Sequence, residues 1–391
     1  MKINYKGILQ NFKKKKKSQI NIFDDILPSS LSPWRNYEFE SISENFENTQ
    51  IFSDLSTYQN YNQNKTYDEN LKKLIKKYPN LKNNIQKLNL SKFPVGELSY
   101  TLFYNNIKKF LNQIEKNSNK FSFTLYPGGG FGLENKEIDI QLKKIFDSKK
   151  FKGVIVNQNI TKKYLIEQQI CNPKLINLIP GVPLKLDNPE IENFIYFKDI
   201  ENTKVLFFAN KYTMDGQDKG FDVFQKIVSI LSNQTTKIQF IVIGGFSEND
   251  VVEKEAKNKI IFKGVLDEIA FEELLKQTHI IVSPNRPFIL NKNAFDGFPL
   301  ATCVTASFFG NLTLMTDFFN EAQQLNLNNE IDFIKINSNA IDISNTIFDL
   351  HNDKENLKKI ALNGRKKLIN LYSYENQIIP RINHFKQLLN N

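Results

Sequence analysis

The stretch from His279 to Asp317, HIIVSPNRPFILNKNAFDGFPLATCVTASFFGNLTLMTD, decides the fold. It opens on an apolar strand, Ile280-Ile281-Val282, that breaks at Ser283-Pro284. A polar loop leads to Asp296-Gly297-Phe298-Pro299, a small-residue helix start follows at Ala301-Thr302-Cys303, and a second buried strand, Leu312-Thr313-Leu314-Met315, closes the unit. Strand, loop, carboxylate, glycine and helix N-terminus in that order make an anion or sugar cradle. The first N–H groups of a helix have no intrahelical partner, and its dipole favours negative charge. The same spacing also suits an ordinary strand–helix–strand unit in which Asp296-Gly297 is only a turn.

Working outward, residues 204–208, 238–243 and 260–262 read as strands, with helices expected over 219–231 and 268–277. Downstream lie a strand at 333–336, a helix at 340–350, and a tail whose Ile378, Ile382, Phe385 and Leu389 have helical spacing. Upstream, strands at 20–23, 49–52, 98–103, 121–125, 153–156 and 175–179 alternate with helices at 34–45, 107–114, 137–147 and 161–168. Ser32-Pro33 reads as an N-cap and N1 proline, 56–65 as a polar loop, and 71–88 as a lysine-rich helix. Strands alternating with helices imply parallel strands with right-handed crossovers. The expected class is therefore α/β, with two Rossmann-like doubly wound parallel sheets in tandem. A chain of 391 residues should divide, because single cores stop growing near ~250 residues. The expected boundaries are an N-terminal domain over 1–195, a linker at 196–203, a C-terminal domain over 204–372 and a final helix at 373–391.

Composition narrows the function. Hydrophobic residues make up 40% of the chain, enough for buried cores. The two cysteines, Cys171 and Cys303, have no metal or redox spacing and suit a reducing compartment. No histidine precedes His279, which excludes a His-based triad or zinc site in the first half. The N-terminus, MKINYKGILQNFKKKKKSQI, has charge but no apolar run, so no secretory leader is expected. No run approaches the ~18 apolar residues of a membrane span. A cytoplasmic protein, or one peripheral at the inner membrane face, is the expectation. The charge is one-sided: residues 1–200 hold 31 Lys/Arg against 20 Asp/Glu, residues 201–391 hold 21 against 22. No nucleic-acid-binding pattern accompanies it, so no nucleic acid is expected as partner. An anionic membrane surface or an acidic acceptor suits the first half, although the run 13–17 is also an ordinary solvated tail.

Ligands of such sheets bind beyond the carboxyl ends of the strands. There the second half places Lys211 and Lys219 around a flexible Asp215-Gly216 turn, Gly220 at a helix start, Gly244-Gly245 after one strand, Gly264 after another, and Asp296-Gly297-Phe298-Pro299. Two cations suit a diphosphate, and a carboxylate suits sugar or ribose hydroxyls. Each piece alone is as readily a solvated lysine or a plain turn. Neither half has Gly-x-Gly-x-x-Gly after its first strand, nor a Walker A lysine.

In these residues the second half resembles the C-terminal domain of the retaining, family-four glycosyltransferases (glycosyl transferases group 1), which have the GT-B fold. The matching pieces are Lys219-Gly220-Phe221-Asp222, Phe240-Ile241-Val242-Ile243-Gly244-Gly245, Ile261-Phe262-Lys263-Gly264, Ile281-Val282-Ser283-Pro284 and Asp296-Gly297-Phe298-Pro299. Ile179-Pro180-Gly181-Val182 resembles the family's strand end before the interdomain linker. The resemblance implies a cleft between two domains. Lys211 and Lys219 would hold the donor diphosphate, and Asp296 would stand in place of the first glutamate of a Glu-x7-Glu pattern, beside the donor sugar. Thr305 would replace the second glutamate if one residue is inserted, with Thr302 and the glycines completing the donor site. The implied partners are a nucleotide-sugar donor and a glycan or lipid-linked acceptor, in surface polysaccharide or glycolipid synthesis. No cofactor or metal is expected, because no Asp-x-Asp motif appears and the lysines supply the charge. On the acceptor side, Gly128, Gly129 and Gly130 give a loop open to close approach or a flexible connector. Arg35 is either a contact for an anionic group or a surface residue. The absence of an N-terminal histidine departs from the family. A non-catalytic GT-B-like binding protein, or an epimerase or phosphorylase on the same fold, remains the alternative.

Overall fold

The computed structural model describes residues 18–29, 32–58, 66–186, 191, 193–196 and 201–390. The basic run 13–17, most of the 56–65 loop and the middle of the 196–203 linker lie outside them.

The first half runs β1 (Ser18–Asp24), α1 (Pro33–Asn45), β2 (Gln50–Ser53), α2 (Tyr67–Lys77), β3 (Ile85–Lys87), β4 (Gly96–Leu102), α3 (Tyr104–Asn117), β5 (Ser118–Leu125), α4 (Lys136–Phe146), β6 (Phe151–Val156), α5 (Asn159–Glu167) and β7 (Ile176–Leu178). Its strands form one parallel sheet in the order β3-β2-β1-β4-β5-β6-β7. The second half runs β8 (Thr203–Ala209), α6 (Phe221–Ser232), β9 (Ile238–Gly244), β10 (Ile260–Phe262), α7 (Glu268–Gln277), β11 (Ile280–Ser283), α8 (Ala301–Phe308), β12 (Leu312–Thr316), α9 (Glu321–Gln324), β13 (Ile334–Ile336), α10 (Ala340–Asn352), α11 (Lys354–Leu371) and α12 (Tyr374–Asn390). Its sheet is also parallel, ordered β10-β9-β8-β11-β12-β13. Both sheets reverse direction of growth beside their first strand, between β1 and β4 and between β8 and β11. The doubly wound reading is therefore correct for both halves.

The strands are apolar on both faces because helices cover both. Phe207, Phe240 and Val282 are buried under α6, α10 and α11, with Phe224 of α6 against Phe207, while Leu206, Ile241, Ile281 and Met315 are buried on the opposite face with α8. One expectation fails. The helix expected over 71–88 stops at Lys77, and Ile85–Lys87 becomes an edge strand paired with Ile51–Ser53. Proline disfavours helical geometry in the preceding residue, and Tyr78, before Pro79, has φ −126° and ψ 72°. The start of α2 follows sequence rules closely. Thr66 and Glu69 form a reciprocal capping box.

The last helix belongs to the first domain. After α11 packs on the second sheet through Leu357, Ile360 and Ala361, the chain turns at Tyr372, and Ile378, Ile382, Phe385 and Leu388 enter the core around Ile20, Ile22 and Tyr100. His384 is buried there, its Nδ1 accepting from the Asn177 amide at 2.7 Å and its Nε2 2.8 Å from the Ser122 hydroxyl, which donates to the Gly153 carbonyl. Burial lowers the His384 pKa from 6.5 to about 4.

The folded protein thus resists a proton that the unfolded chain accepts below pH 6.5, so stability is full above that value and falls as pH drops toward 4. Urea unfolding between pH 6.5 and 4.5 should show that loss, and His384→Gln should remove about one proton, roughly 1.4 kcal/mol per pH unit, from the slope. An unchanged slope in the variant would show that His384 does not titrate in this way.

Candidate functional site

The site forms where the second sheet reverses, the position at which open α/β sheets bind ligands. The segment after β8 carries Lys219 in a short turn between Gly216 and Gly220, both left-handed, at φ 68° and 75°. Gly220 has to be glycine for a second reason, since a Cβ there would lie 2.3 Å from the Pro284 carbonyl oxygen at the end of β11. The segment after β11 carries Asp296. The two side chains meet across the switch point. Lys219 Nζ donates to both Asp296 oxygens, at 2.8 and 2.7 Å, with Lys219 8% exposed.

Three residues outside the sequence expectations complete the arrangement. The Asn285 amide donates to Asp296 Oδ2 at 2.6 Å, and the Asn285 carbonyl accepts from Thr316 Oγ1 at 2.7 Å. Arg286 donates to the Gln217 carbonyl and to Asp222, both at 2.7 Å from Nη2, tying the loop after β11 to the lysine turn. The Tyr212 ring centroid lies 5.2 Å from the Lys219 ammonium, in cation–π range. A pocket opens here, lined by Asn285, Asp296, Gly297, Phe298, Leu300, Thr316, Phe318 and Phe319 among others.

The remaining expected residues are placed as follows. Lys211 turns away from the Lys219–Asp296 pair and donates to Asp250 at 2.5 Å. Burial opposes the charge on Asp250, but the Lys211 bond and the Ser247 N–H prevail and lower its pKa. Gly244, at φ 121°, closes against Ala209, whose oxygen would be 1.8 Å from a Cβ there, and donates to the Gly264 carbonyl. Gly245 lies beside the Lys211 Cβ, which would be 3.5 Å from its own. Thr302 and Thr305 lie on α8, and the Thr305 hydroxyl donates back to the Ala301 carbonyl at 2.9 Å. Pro299 follows a cis peptide bond from Phe298.

The first domain contacts the segments after β11 and β12 directly. Gln158, buried, brackets the Phe298 backbone: its Oε1 accepts from Phe298 N at 2.8 Å and its Nε2 donates to the Phe298 carbonyl at 3.1 Å. Gly297 sits against the same amide. The Asn293 amide donates to the Leu133 and Glu134 carbonyls, and the Asn293 carbonyl accepts from Leu133 N. Glu321 accepts from the N–H groups of Asn159 and Ile160 at the start of α5, at 2.8 and 2.7 Å. Its carboxyl pKa is raised by burial and by nearby Asp317, against those two bonds. The Gly128-Gly129-Gly130 turn has φ of 77°, 55° and 87° and packs on Phe103 and Asn105, which a Cβ at Gly129 or Gly130 would strike. Arg35 is not a surface residue. It is buried at the switch point of the first sheet, donating to Asp24 at 2.8 Å and Asp25 at 2.9 Å. Burial raises the Asp24 pKa despite Arg35. At Asp25 burial is outweighed by Arg35, Thr57 and Asn106, and its pKa is lowered.

No protein-family model and no curated protein matches the sequence. Solved structures do. A glycosyltransferase from Rickettsia africae ESF-5 has a TM-score of 0.63 at 18% identity, covering 96% of this chain and all of that one. Anabaena HepE in complex with UDP has 0.62 at 13% identity, covering 95% and 99%. S. aureus TarM, in a complex that includes UDP and alpha-GlcNAc-glycerol, has 0.56 at 15% identity; the match covers 73% of this chain but only 55% of TarM. Likeness at such identities concerns the fold: two Rossmann-like domains facing a cleft, with a C-terminal helix returning to the first domain, are the GT-B fold.

Gln158→Ala should leave both polar groups of the Phe298 backbone without their partner. A loss of roughly 1–3 kcal/mol in urea unfolding is expected. Wild-type stability in this variant would show that the bracket does not hold the two domains together.

Proposed function

We propose that the protein is a glycosyltransferase that moves a sugar from a nucleoside diphosphate donor to a sugar-bearing or lipid-linked acceptor, with retention of anomeric configuration. The observation that carries the reading is the pairing of buried Lys219 with half-buried Asp296 at the sheet reversal of a GT-B fold. UDP is the first base to test, because HepE and TarM have been crystallised with it.

In this reading the donor diphosphate takes Lys219 from Asp296. The freed carboxylate turns to the donor sugar hydroxyls, with Asn285 holding its other oxygen. The bond between the anomeric carbon and the phosphate oxygen breaks and the nucleoside diphosphate leaves with its electron pair. The acceptor oxygen bonds to the same carbon, and its proton passes to the departing phosphate. Lys219 stabilises charge that grows on the leaving group, which is the preorganised electrostatic term that often dominates such chemistry. Lys211 joins it if it releases Asp250. With lysine supplying the positive charge, no divalent cation is required. Full activity in EDTA is the expected outcome, and activity lost in EDTA and restored by magnesium or manganese would sink this part.

A thermal-shift screen against UDP, GDP, ADP and CMP should give stabilisation by one of them, about 2.7 kcal/mol at ~100 times its Kd. Lys219→Ala should weaken that complex by roughly 1.5–3 kcal/mol, the scale of a charge-assisted hydrogen bond. Asp296→Asn should keep nucleotide binding and lose transfer. Unchanged affinity in Lys219→Ala removes that residue from the site.

A second reading, a non-catalytic sugar-nucleotide-binding protein, is favoured by Thr305, whose hydroxyl is engaged within its own helix. Nucleotide binding without turnover against any acceptor would select it. The excess charge of the first half also supports contact with an anionic membrane surface. Sedimentation with anionic liposomes at low salt is the expected result, and its absence counts against such contact.

A further inference from the structure

We infer that the loop tip Ile289-Leu290-Asn291-Lys292, with Phe288 and Phe318 beside it, is a wedge that seats the protein on a phospholipid bilayer. This rests on the membrane contact proposed above and deepens it. That contact called only on charge, whereas this one buries named apolar side chains in lipid.

Phe288, Ile289 and Leu290 follow one another in sequence and are 38%, 43% and 48% exposed, and Phe318 is 65% exposed. The Phe288 and Phe318 ring centroids lie 6.0 Å apart, so the loops after β11 and β12 share one apolar surface. Three consecutive exposed apolar residues are out of place on a soluble surface unless they serve a contact.

The loop is closed by its own hydrogen bonds. The Phe288 N–H donates to the Ala294 carbonyl at 2.6 Å and the Ala294 N–H to the Asn291 carbonyl at 3.1 Å. The Asn293 N–H donates to the Asn291 side chain at 3.0 Å. Phe288 has φ 68°, a left-handed conformation unfavourable for a bulky side chain, and this closure holds it there. Asn293, buried at the base, anchors the loop to the first domain through the Leu133 and Glu134 carbonyls. The tip is thus preorganised, and little ordering cost falls on binding.

Charge and area select the occupant. Residues 285–295 include Arg286 and Lys292 but no acid, and residues 318–320 include none either. Lys292 is exposed at the tip. Its stem can lie along the lipid while its ammonium reaches the headgroup phosphates. A second cation, Lys335, donates to Asn320 at 2.7 Å, two residues beyond Phe318. Four side chains so exposed offer roughly 400 Å² of apolar surface. A stable protein interface takes about 800 Å² from each partner, so this patch suits a bilayer better than a second copy of the chain. Pro287 and Phe318 also line the pocket that holds Asp296, so docking here brings that pocket beside the lipid surface.

The test uses the full chain and vesicles of phosphatidylcholine alone or mixed with an equal part of phosphatidylglycerol. The wild type should pellet with the mixed vesicles at low salt. Ile289→Asp/Leu290→Asp should bind them at least ~10-fold more weakly, the scale of one buried aliphatic side chain. Its melting temperature should be that of the wild type, because both side chains are largely in water. Leu290→Trp should bind as the wild type does, shift its emission to the blue on binding and be quenched by brominated lipid. The wild type, whose one tryptophan is Trp34, is the control. Equal pelleting of the double variant, or no emission change in pelleted Leu290→Trp, would overturn the wedge and leave membrane contact to the charge of the first half. No pelleting of the wild type would overturn the wedge and the membrane contact together. Self-association without vesicles that the double variant abolishes would give the tip to a second copy and overturn the lipid assignment.

Discussion

The guanidinium of Arg381 is 1% exposed, and the relation between the two domains depends on how it is satisfied. It donates to the Gln377 carbonyl at 2.7 Å, to the Gln377 side chain at 3.0 Å and to the Gly181 carbonyl at 3.3 Å, and it faces Glu38 at 4.0 Å. Glu38 in turn accepts from the hydroxyls of Tyr100 and Tyr126. A buried cation without such partners costs several kcal/mol, so the network forms whole or not at all. It closes only when the last helix lies on the first domain and the Pro180-Gly181 crossover passes beside it. Gln377 fixes that crossover directly through the Pro180 carbonyl. Burial and the adjacent carboxylate raise the pKa of Tyr126 further, so the phenol stays a donor.

With the helix docked, three contacts between the domains pair backbone groups of one with side chains of the other. Gln158 brackets Phe298, Asn293 bonds the Leu133 and Glu134 carbonyls, and Glu321 caps α5. Amide and carboxylate side chains suit this role because they satisfy buried N–H and C=O groups that would otherwise be left unpaired. The loops that carry Asp296 and Phe318 are therefore positioned from both sides.

Much of this was legible before any coordinates. Aliphatic runs at regular spacing define parallel strands, and glycines at a helix start or a strand end mark close backbone approach, as Gly220 and Gly244 do. Lys219 and Asp296, placed apart in sequence, turned out to touch. Other features were hidden for physical reasons. Ile85–Lys87 has no strand signal of its own and becomes one by pairing with β2, after Pro79 ends the helix. Asn285 and Gln158 act through a single amide whose partner is distant in the chain, and an amide in a loop has no spacing to betray it. Lys211 is captured by Asp250, and pairing of that kind depends on side-chain reach. Arg35 lies in the first turn of α1, and Asp24 and Asp25 at the end of β1 draw it into a buried ion pair.

The closed contact between Lys219 and Asp296 has a kinetic side. With its cation neutralised by Asp296, Lys219 projects little field into solvent, so an approaching diphosphate is not drawn in from a distance by this lysine. Capture occurs on contact, by an exchange of one anion for another on the same ammonium. The association rate at this residue is then governed by how often the ion pair opens, and ionic strength acts on it mainly by loosening that pair.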